Sequence, residues 1–481
     1  MRDLKEKTVR GGFVKVCAQA ANFLLRIGSL MVLARLLDPE DFGLVAMVTV
    51  VTGVFSLFRD AGLSTATIQR ATVTEKQIST LFWMNMLVGA ILGGLLLAIA
   101  PVLVAFYREP RLFWMTVVLA AVFLFNAAGV QHSVILQRQM RFTALALIDI
   151  LSLLLSIAVG IGMAAAGYGY WALVGMAVIS PCVGTVFLWI TARWIPGMPH
   201  QGVGILSMMR FGGTVTLNSF VVYCAYNVEK ILLGRFWGAD SLGIYERANQ
   251  LINIPASNFN SAIGGVAIAA LSRLQDDLSR FKSYFLKGYS LVLAMTIPVT
   301  IACALFAEDI ILILLGPKWI DAVIIFRLLT PTVLIFALIN PLYWLLVSSG
   351  LVGRSLKIAL VMSPLVITAY IIGLPYGPRG VAFAYSTVMI LWVIPHIAWC
   401  IHGTMISSRD LWQAISRPLL SGIAAAALAF SVQFFFGQFF SPIPRLILGG
   451  SILLASYLWM ILYVMGQKEF YMDLFRVLRR R

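Results

Sequence analysis

The feature that most constrains this chain is a succession of long apolar stretches. Fourteen can be drawn, at roughly 12–36, 42–60, 79–106, 112–137, 142–166, 169–192, 208–235, 241–271, 281–306, 319–348, 355–375, 380–402, 411–437 and 445–466. About 20 apolar residues in a helix cross the hydrocarbon core of a bilayer. Inside that core every backbone N–H and C=O must be bonded within the protein, and a helix does this within one segment. The stretches therefore predict an all-α polytopic membrane protein with about 14 transmembrane helices. Composition agrees: 60% of the residues are hydrophobic and 12% charged, with mean hydropathy +0.92. Soluble domains are about 25% charged. No connection is long enough for a soluble domain, and Asp309–Leu315 is short enough for an interfacial turn.

Lysine and arginine set the expected orientation. Placed on alternate sides, 25 of the 36 fall with the N-terminus and with such loops as Arg138–Arg141 and Arg280–Lys287, against eight on the other side. Arg26, Lys230 and Arg327 remain within spans, and the acids divide about equally. Sorted cations mark the cytoplasmic side, so both termini are expected there and the basic tail FRVLRRR is expected to anchor at the inner leaflet. The net charge of +16 is thus an orientation signal, with no nucleic-acid partner implied. The first apolar run is too long for a cleavable signal and is expected to persist. The five cysteines all lie in apolar segments without metal-ligand or CxxC spacing. Neither a metal site nor a cofactor is expected.

The first span also carries a polar stripe. Lys15, Gln19, Asn22, Arg26 and Ser29 recur at steps of three or four, so they share one helical face. A cation facing lipid at mid-membrane costs about 2.5–3.5 kcal/mol. Arg26 should therefore face water, a substrate or a partner; carbonyls and hydroxyls of a dry bundle are the plainer alternative.

The chain repeats itself. Ala34–Leu37 and Phe42–Leu44 are echoed by Gly234–Trp237 and Leu242–Ile244, and Arg10–Gly12 by Arg210–Gly213, at an offset of about 200. GYGYWA at 167–172 is echoed by GPRGVA at 377–382. Spans 1–6 thus pair with spans 7–12 in the same orientation. The expected layout is a six-helix lobe over 1–200, a second over 201–405, and two extra helices with a basic tail over 406–481. Parallel repeats place the lobes about an axis along the membrane normal, with a site between them.

Polar faces recur on the first two spans of each half. Span 2 carries Thr49, Thr52, Ser56, Arg59 and Asp60. Span 7 carries Ser219, Tyr223, Tyr226, Asn227 and Lys230, and span 8 carries Asn249, Asn253, Ser257 and Asn260. Amides and hydroxyls satisfy sugar hydroxyls, tyrosine stacks on sugar faces, and arginine pairs with phosphate in a bidentate way. Taken singly, each amide or hydroxyl could equally serve an interhelical hydrogen bond. Spans 3, 9, 13 and 14 are more apolar and are expected to face lipid. Two acids lie within spans, Asp149 and Glu229. Ion coupling through them is the sharper reading, since intramembrane acids often serve proton relays, and internal pairing the plainer. His132, between Gln131 and Ser133, is expected to be a structural hydrogen bonder.

The run ARLLDPEDFGL at 34–44, followed by RDAGLSTA at 59–66 and by Gln69 and Arg70, resembles the Wzx-type polysaccharide flippases, nearest the colanic-acid and lipopolysaccharide exporter branch. These belong to the multidrug/oligosaccharidyl-lipid/polysaccharide exporter superfamily, and the resemblance covers essentially the whole chain. It implies two six-helix lobes around a V-shaped cavity and transport of undecaprenyl-pyrophosphate-linked oligosaccharide units across the inner membrane by alternating access. It also implies work alongside a polysaccharide polymerase and co-polymerase. By position it assigns pyrophosphate contact to Arg26, with Arg59 or Lys230 assisting. The wider cavity set is Gln19, Asn22, Thr52, Ser56, Ser219, Tyr223, Tyr226, Asn227, Asn249 and Asn253. Two rivals remain. A multidrug antiporter of the same fold would favour an acidic lining, whereas this one is net basic. A membrane polymerase or ligase would carry a large catalytic loop, and no nucleophile–base, metal or nucleotide motif is present.

Overall fold

The computed structural model describes residues 2–59, 74–199, 220, 223–436 and 439–469. Fourteen helices of eight or more residues fall within them: α1 Arg2–Leu36, α2 Pro39–Phe58, α3 Glu75–Tyr107, α4 Leu112–Arg138, α5 Phe142–Ala165, α6 Trp171–Ala192, α7 Val228–Ser272, α8 Leu278–Leu305, α9 Ala307–Leu314, α10 Ala322–Ser348, α11 Val352–Gly373, α12 Gly377–Ile401, α13 Ser408–Phe436 and α14 Pro442–Trp459. Among the described residues no strand occurs, and eleven helical stretches are long and apolar enough to cross a membrane. One of those, 352–401, contains both α11 and α12. Half of the expected seventh span lies outside the described residues. The eighth is the later part of α7, beyond Gly238, whose φ of +80° breaks the helix. Such backbone is open to glycine and strained for other residues. The short interfacial turn expected near 309–315 is α9.

Local signals explain the boundaries. At α3 the Thr74 hydroxyl accepts from the Gln77 N–H at 3.3 Å, while the Gln77 amide oxygen accepts from the Thr74 N–H at 3.0 Å. That reciprocal pair is a capping box. At α13 the same device uses Ser407 and Asp410, and Lys282 adds an ion pair to Asp410 at 2.7 Å. This ammonium first, then the Ser407 hydroxyl and N–H, hold the Asp410 carboxyl down at about 2. A depressed carboxyl stabilises the cap fully above its ordinary value of 3.8 and loses that contribution as pH falls through about 2. Lys282→Met is expected to bring the Asp410 titration back toward the ordinary range, as read by carboxyl-carbon NMR; an unchanged midpoint would assign the depression to the cap alone.

The chain divides into two compact units, Met1–Gly243 and Ile244–Arg481. In the first, α3 packs on α4, α4 on α6, α5 on α6, and α1 on α5. In the second, α8 packs on α10, α10 on α12, and α11 on α12. The order of neighbours among spans 3 to 6 thus recurs among spans 9 to 12, and so do particular bonds. The Thr185 hydroxyl of α6 donates to the Phe125 carbonyl of α4 at 2.7 Å, and the Ser386 hydroxyl of α12 donates to the Leu328 carbonyl of α10 at 2.6 Å. Arg141, before α5, donates to the Thr191 carbonyl at the end of α6; Arg354, in the first turn of α11, donates to the Cys400 carbonyl at the end of α12. The boundary expected near residue 200 falls on undescribed residues.

The echoed segments at 39–43 and 239–243, both in the first unit, meet each other reciprocally. A Cβ on Gly43 would stand 1.7 Å from the Ala239 carbonyl oxygen, and one on Gly243 would stand 1.9 Å from that of Pro39. Only glycine permits this backbone approach at both positions.

One expectation is corrected. α8, span 9, is not chiefly lipid-facing: α13 and α14 cover it, so Phe281, Phe285, Tyr289, Val292, Leu293 and Ile297 join a buried core with Trp344, Leu453 and Tyr457. The apolar composition of span 9 reflects burial by the two added helices. The second unit also closes an ion pair between α9 and α14. Arg445 donates from Nε to both oxygens of Asp309 at 2.8 and 3.0 Å, and from Nη2 as well, and Asp309 is buried. Removing one partner of a buried pair strands the other, at about 3–5 kcal/mol. Asp309→Ala should therefore lower the thermal midpoint of the purified protein sharply, and Asp309→Ala/Arg445→Met should recover much of it.

Candidate functional site

Within the first unit a cavity of about 820 Å³ is walled by α1, α4, α5, α6 and the end of α2. Three of the expected substrate contacts meet there, Asn22, Arg26 and Arg59, together with one of the two acids expected to couple an ion. Asp149 joins them from α5, within electrostatic reach of Arg26. Among the described residues no ion pair joins Arg26 to Asp149. The helical period brings Asn22 and Arg26 onto one face, and α1 presents that face to α5. Arg59 arrives as the C-cap of α2.

The polar capacity of this wall is only partly used. The Asn22 amide oxygen and the Arg59 Nε are buried and have no hydrogen-bond partner among the described residues. A buried donor or acceptor without a partner costs about 1–3 kcal/mol, so such atoms point to a ligand that satisfies them. Six further polar lining residues were not singled out from the sequence: Asn126, Ser133, Gln137, Ser152, Ser180 and Thr185. The Gln137 amide donates to the Ser133 hydroxyl at 3.2 Å. Asn126, Ser133 and Gln137 lie seven and four residues apart on α4, a helical face that periodicity alone could have found.

The other expected residues lie elsewhere. Gln19 is exposed on α1. Thr52 and Ser56 donate to carbonyls of their own helix, at Thr49 and Thr52. Tyr223 lies against α2: its hydroxyl donates to the Val50 carbonyl at 3.0 Å and fills the space that Gly53 leaves open. Asn227 donates to the Tyr223 carbonyl at 2.9 Å. Tyr226 and Lys230 are half-buried, and Glu229 is fully buried, each with a partner. In the second unit Asn253 donates to Asn249 at 2.9 Å. Ser219 lies outside the described residues. His132 is buried and stacked on Trp189, with its ring nitrogens 3.1 Å from the Ala128 and Trp194 carbonyls, as expected of a structural hydrogen bonder.

A polar, cation-bearing cavity inside a bundle of apolar helices defines a membrane transport protein. The chain belongs to the family described as "Polysaccharide biosynthesis protein", which matches residues 32–324. It is 26% identical over 390 residues to the teichuronic acid biosynthesis protein TuaB of Bacillus subtilis, covering 78% of each chain. It is 24% identical over 395 residues to the lipopolysaccharide biosynthesis protein WzxC of Escherichia coli, covering 81% of this chain and 80% of that one. Its fold matches the lipid II flippase MurJ in an inward closed conformation, with TM-score 0.75 and 15% identity over 96% of this chain and all of the other. An inward-facing multidrug transporter of the MATE family matches with TM-score 0.62 and 15% identity over 79% of this chain and 94% of that one.

Proposed function

We propose that this chain is a flippase for lipid-linked oligosaccharides, moving undecaprenyl-pyrophosphate-linked repeat units from the cytoplasmic to the outer leaflet of the inner membrane. The observation that carries the reading is the first-unit cavity, where Arg26 and Arg59 stand among amides and hydroxyls with buried polar atoms unspent. Arginine suits a pyrophosphate, which accepts bidentate bonds. The neighbouring amides and hydroxyls suit the first sugars. A volume of about 820 Å³ lies in the range of small-ligand sites, about 300–1,000 Å³, so it fits the pyrophosphate and proximal sugars better than a whole glycan.

In this reading the head enters the cavity while the polyprenyl tail stays in lipid. Arg26 neutralises the pyrophosphate and Arg59 assists. Asp149 competes with the substrate for Arg26, which links substrate release to an ion taken up by the carboxylate. The protein acts without covalent chemistry, and its termini lie in the cytoplasm, as the sorted cations support. The two lobes are residues 1–200 and 201–405, followed by two added helices. A polymerase and co-polymerase would take up the delivered unit.

The deciding experiment is a lipid extract from cells lacking the protein. The expected result is accumulation of undecaprenyl pyrophosphate bearing a complete oligosaccharide on the cytoplasmic face, with loss of one surface polymer. Absence of such a lipid together with altered drug sensitivity would overturn the reading in favour of an antiporter.

A further inference from the structure

The second unit contains a polar pocket with no place in the transport cycle proposed above. It encloses about 540 Å³ where the first turns of α8 and α13 meet the chain leaving α14. Ser283, Lys287 and Ser290 line it from α8, Gln413 and Arg417 from α13, and Gln467 from the turn that follows α14. Gly466, at φ +65°, makes the turn that brings Gln467 to the wall.

The charges in this pocket do not cancel. Asp410 also lines it, but its carboxylate is held by Lys282 at 2.7 Å and by the Ser407 hydroxyl and N–H. Lys287 and Arg417 remain, and among the described residues neither side chain has an ion pair or hydrogen bond. Two cations facing one cavity repel unless an anion lies between them. Gln467 adds a buried amide oxygen without a partner among the described residues. A half-turn of that amide presents two N–H donors instead.

The surroundings indicate which anion is at hand. On the same helices and the α14 end, Tyr284, Trp412, Leu420 and Tyr463 are 53–62% exposed. Aromatic side chains at such positions lie at the boundary of water and lipid. A pocket of cations and hydroxyls at that level, with exposed apolar side chains beside it, matches a phosphate head with its acyl chains lying along the helices. We propose that this pocket is a binding site for the phosphate head of an anionic phospholipid in the leaflet on the cation-rich side of the protein. Arg417 supplies a paired N–H fork, Lys287 a point charge, and Ser283, Ser290 and Gln413 the remaining donors.

The test uses the full chain in phosphatidylcholine nanodiscs doped with phosphatidylglycerol, with retained anionic lipid counted after exchange against undoped vesicles. Lys287→Gln/Arg417→Gln is expected to retain phosphatidylglycerol about thirtyfold more weakly than the unaltered protein. Arg280→Gln/Lys357→Gln, which removes two exposed cations elsewhere on the same side, is expected to leave retention unchanged. Equal loss in both pairs would reduce the effect to overall charge and overturn the site. Retention unaffected in the first pair would overturn it too. Displacement of the lipid by millimolar inorganic phosphate would also overturn it, because the pocket would then serve a soluble anion. Thermal midpoints of both double variants, expected to match the unaltered protein, separate loss of binding from loss of fold.

Discussion

Arg26→Ala is expected to abolish polysaccharide export while leaving the amount of protein in the membrane unchanged. Arg26 is exposed on α1, lines the cavity and closes no ion pair among the described residues, so its removal breaks no ion pair. What it removes, in the proposed cycle, is the charge opposite the pyrophosphate. Hydrogen bonds to charged groups contribute about 1.5–3 kcal/mol each, and loss of a bidentate pair at the lower figure weakens the complex by more than about a hundredfold. Arg26→Lys should retain the charge but lose the fork, giving an intermediate defect. Export would be measured in cells with no other copy, with the lipid-linked precursor assayed beside the surface polymer. Unimpaired export by Arg26→Ala would remove this residue from the site and, with it, the observation on which the proposed function rests.

Gly43→Ala and Gly243→Ala are each expected to destabilise the purified protein by about 1–3 kcal/mol, the usual cost of overpacking. The added methyl group would meet a backbone carbonyl oxygen at 1.7 or 1.9 Å, and a backbone oxygen cannot rotate away as a side chain can. Gly94→Ala is the matched control. Gly94 lies within α3 with nothing within 4 Å of a new Cβ, so there alanine should be neutral or gain up to about 1 kcal/mol of helix propensity. The thermal midpoints of the three variants decide the matter. If Gly43→Ala and Gly243→Ala melt with the control, the close approach of the two echoed segments is not part of the stable fold. If the segments part during transport, the same variants favour the parted state, and export falls even in the fraction that remains folded.

The cavity shows which kinds of signal a sequence carries. Arg26 and Asn22 were legible because one helix places them on one face, and an intramembrane arginine demands an explanation. Arg59 was legible from its position at the end of an apolar run. Asn126, Ser133 and Gln137 share a face of α4 that periodicity shows, but nothing local says that α4, α5 and α6 close around α1, and Ser152, Ser180 and Thr185 give no such sign. Conversely, Tyr223 shares a polar stripe with Asn227, yet its hydroxyl is spent on the Val50 carbonyl. A stripe records where polar groups lie on a helix; it does not record whether their bonds are made within the bundle.

What the sequence determined by itself was whatever depends on local composition and period: the all-α membrane class, most of the helix boundaries, the internal repeat and the sorting of cations. Bilayer thickness and backbone hydrogen bonding act on each segment alone, so each segment announces them. Tertiary structure decided which faces meet. It placed α13 and α14 over α8 and turned an apolar helix into core, brought Asp309 to Arg445 across 136 residues, and set Gly43 against Ala239. Those outcomes depend on packing between segments distant in the chain, where one residue's environment is made by others that its own neighbourhood does not specify.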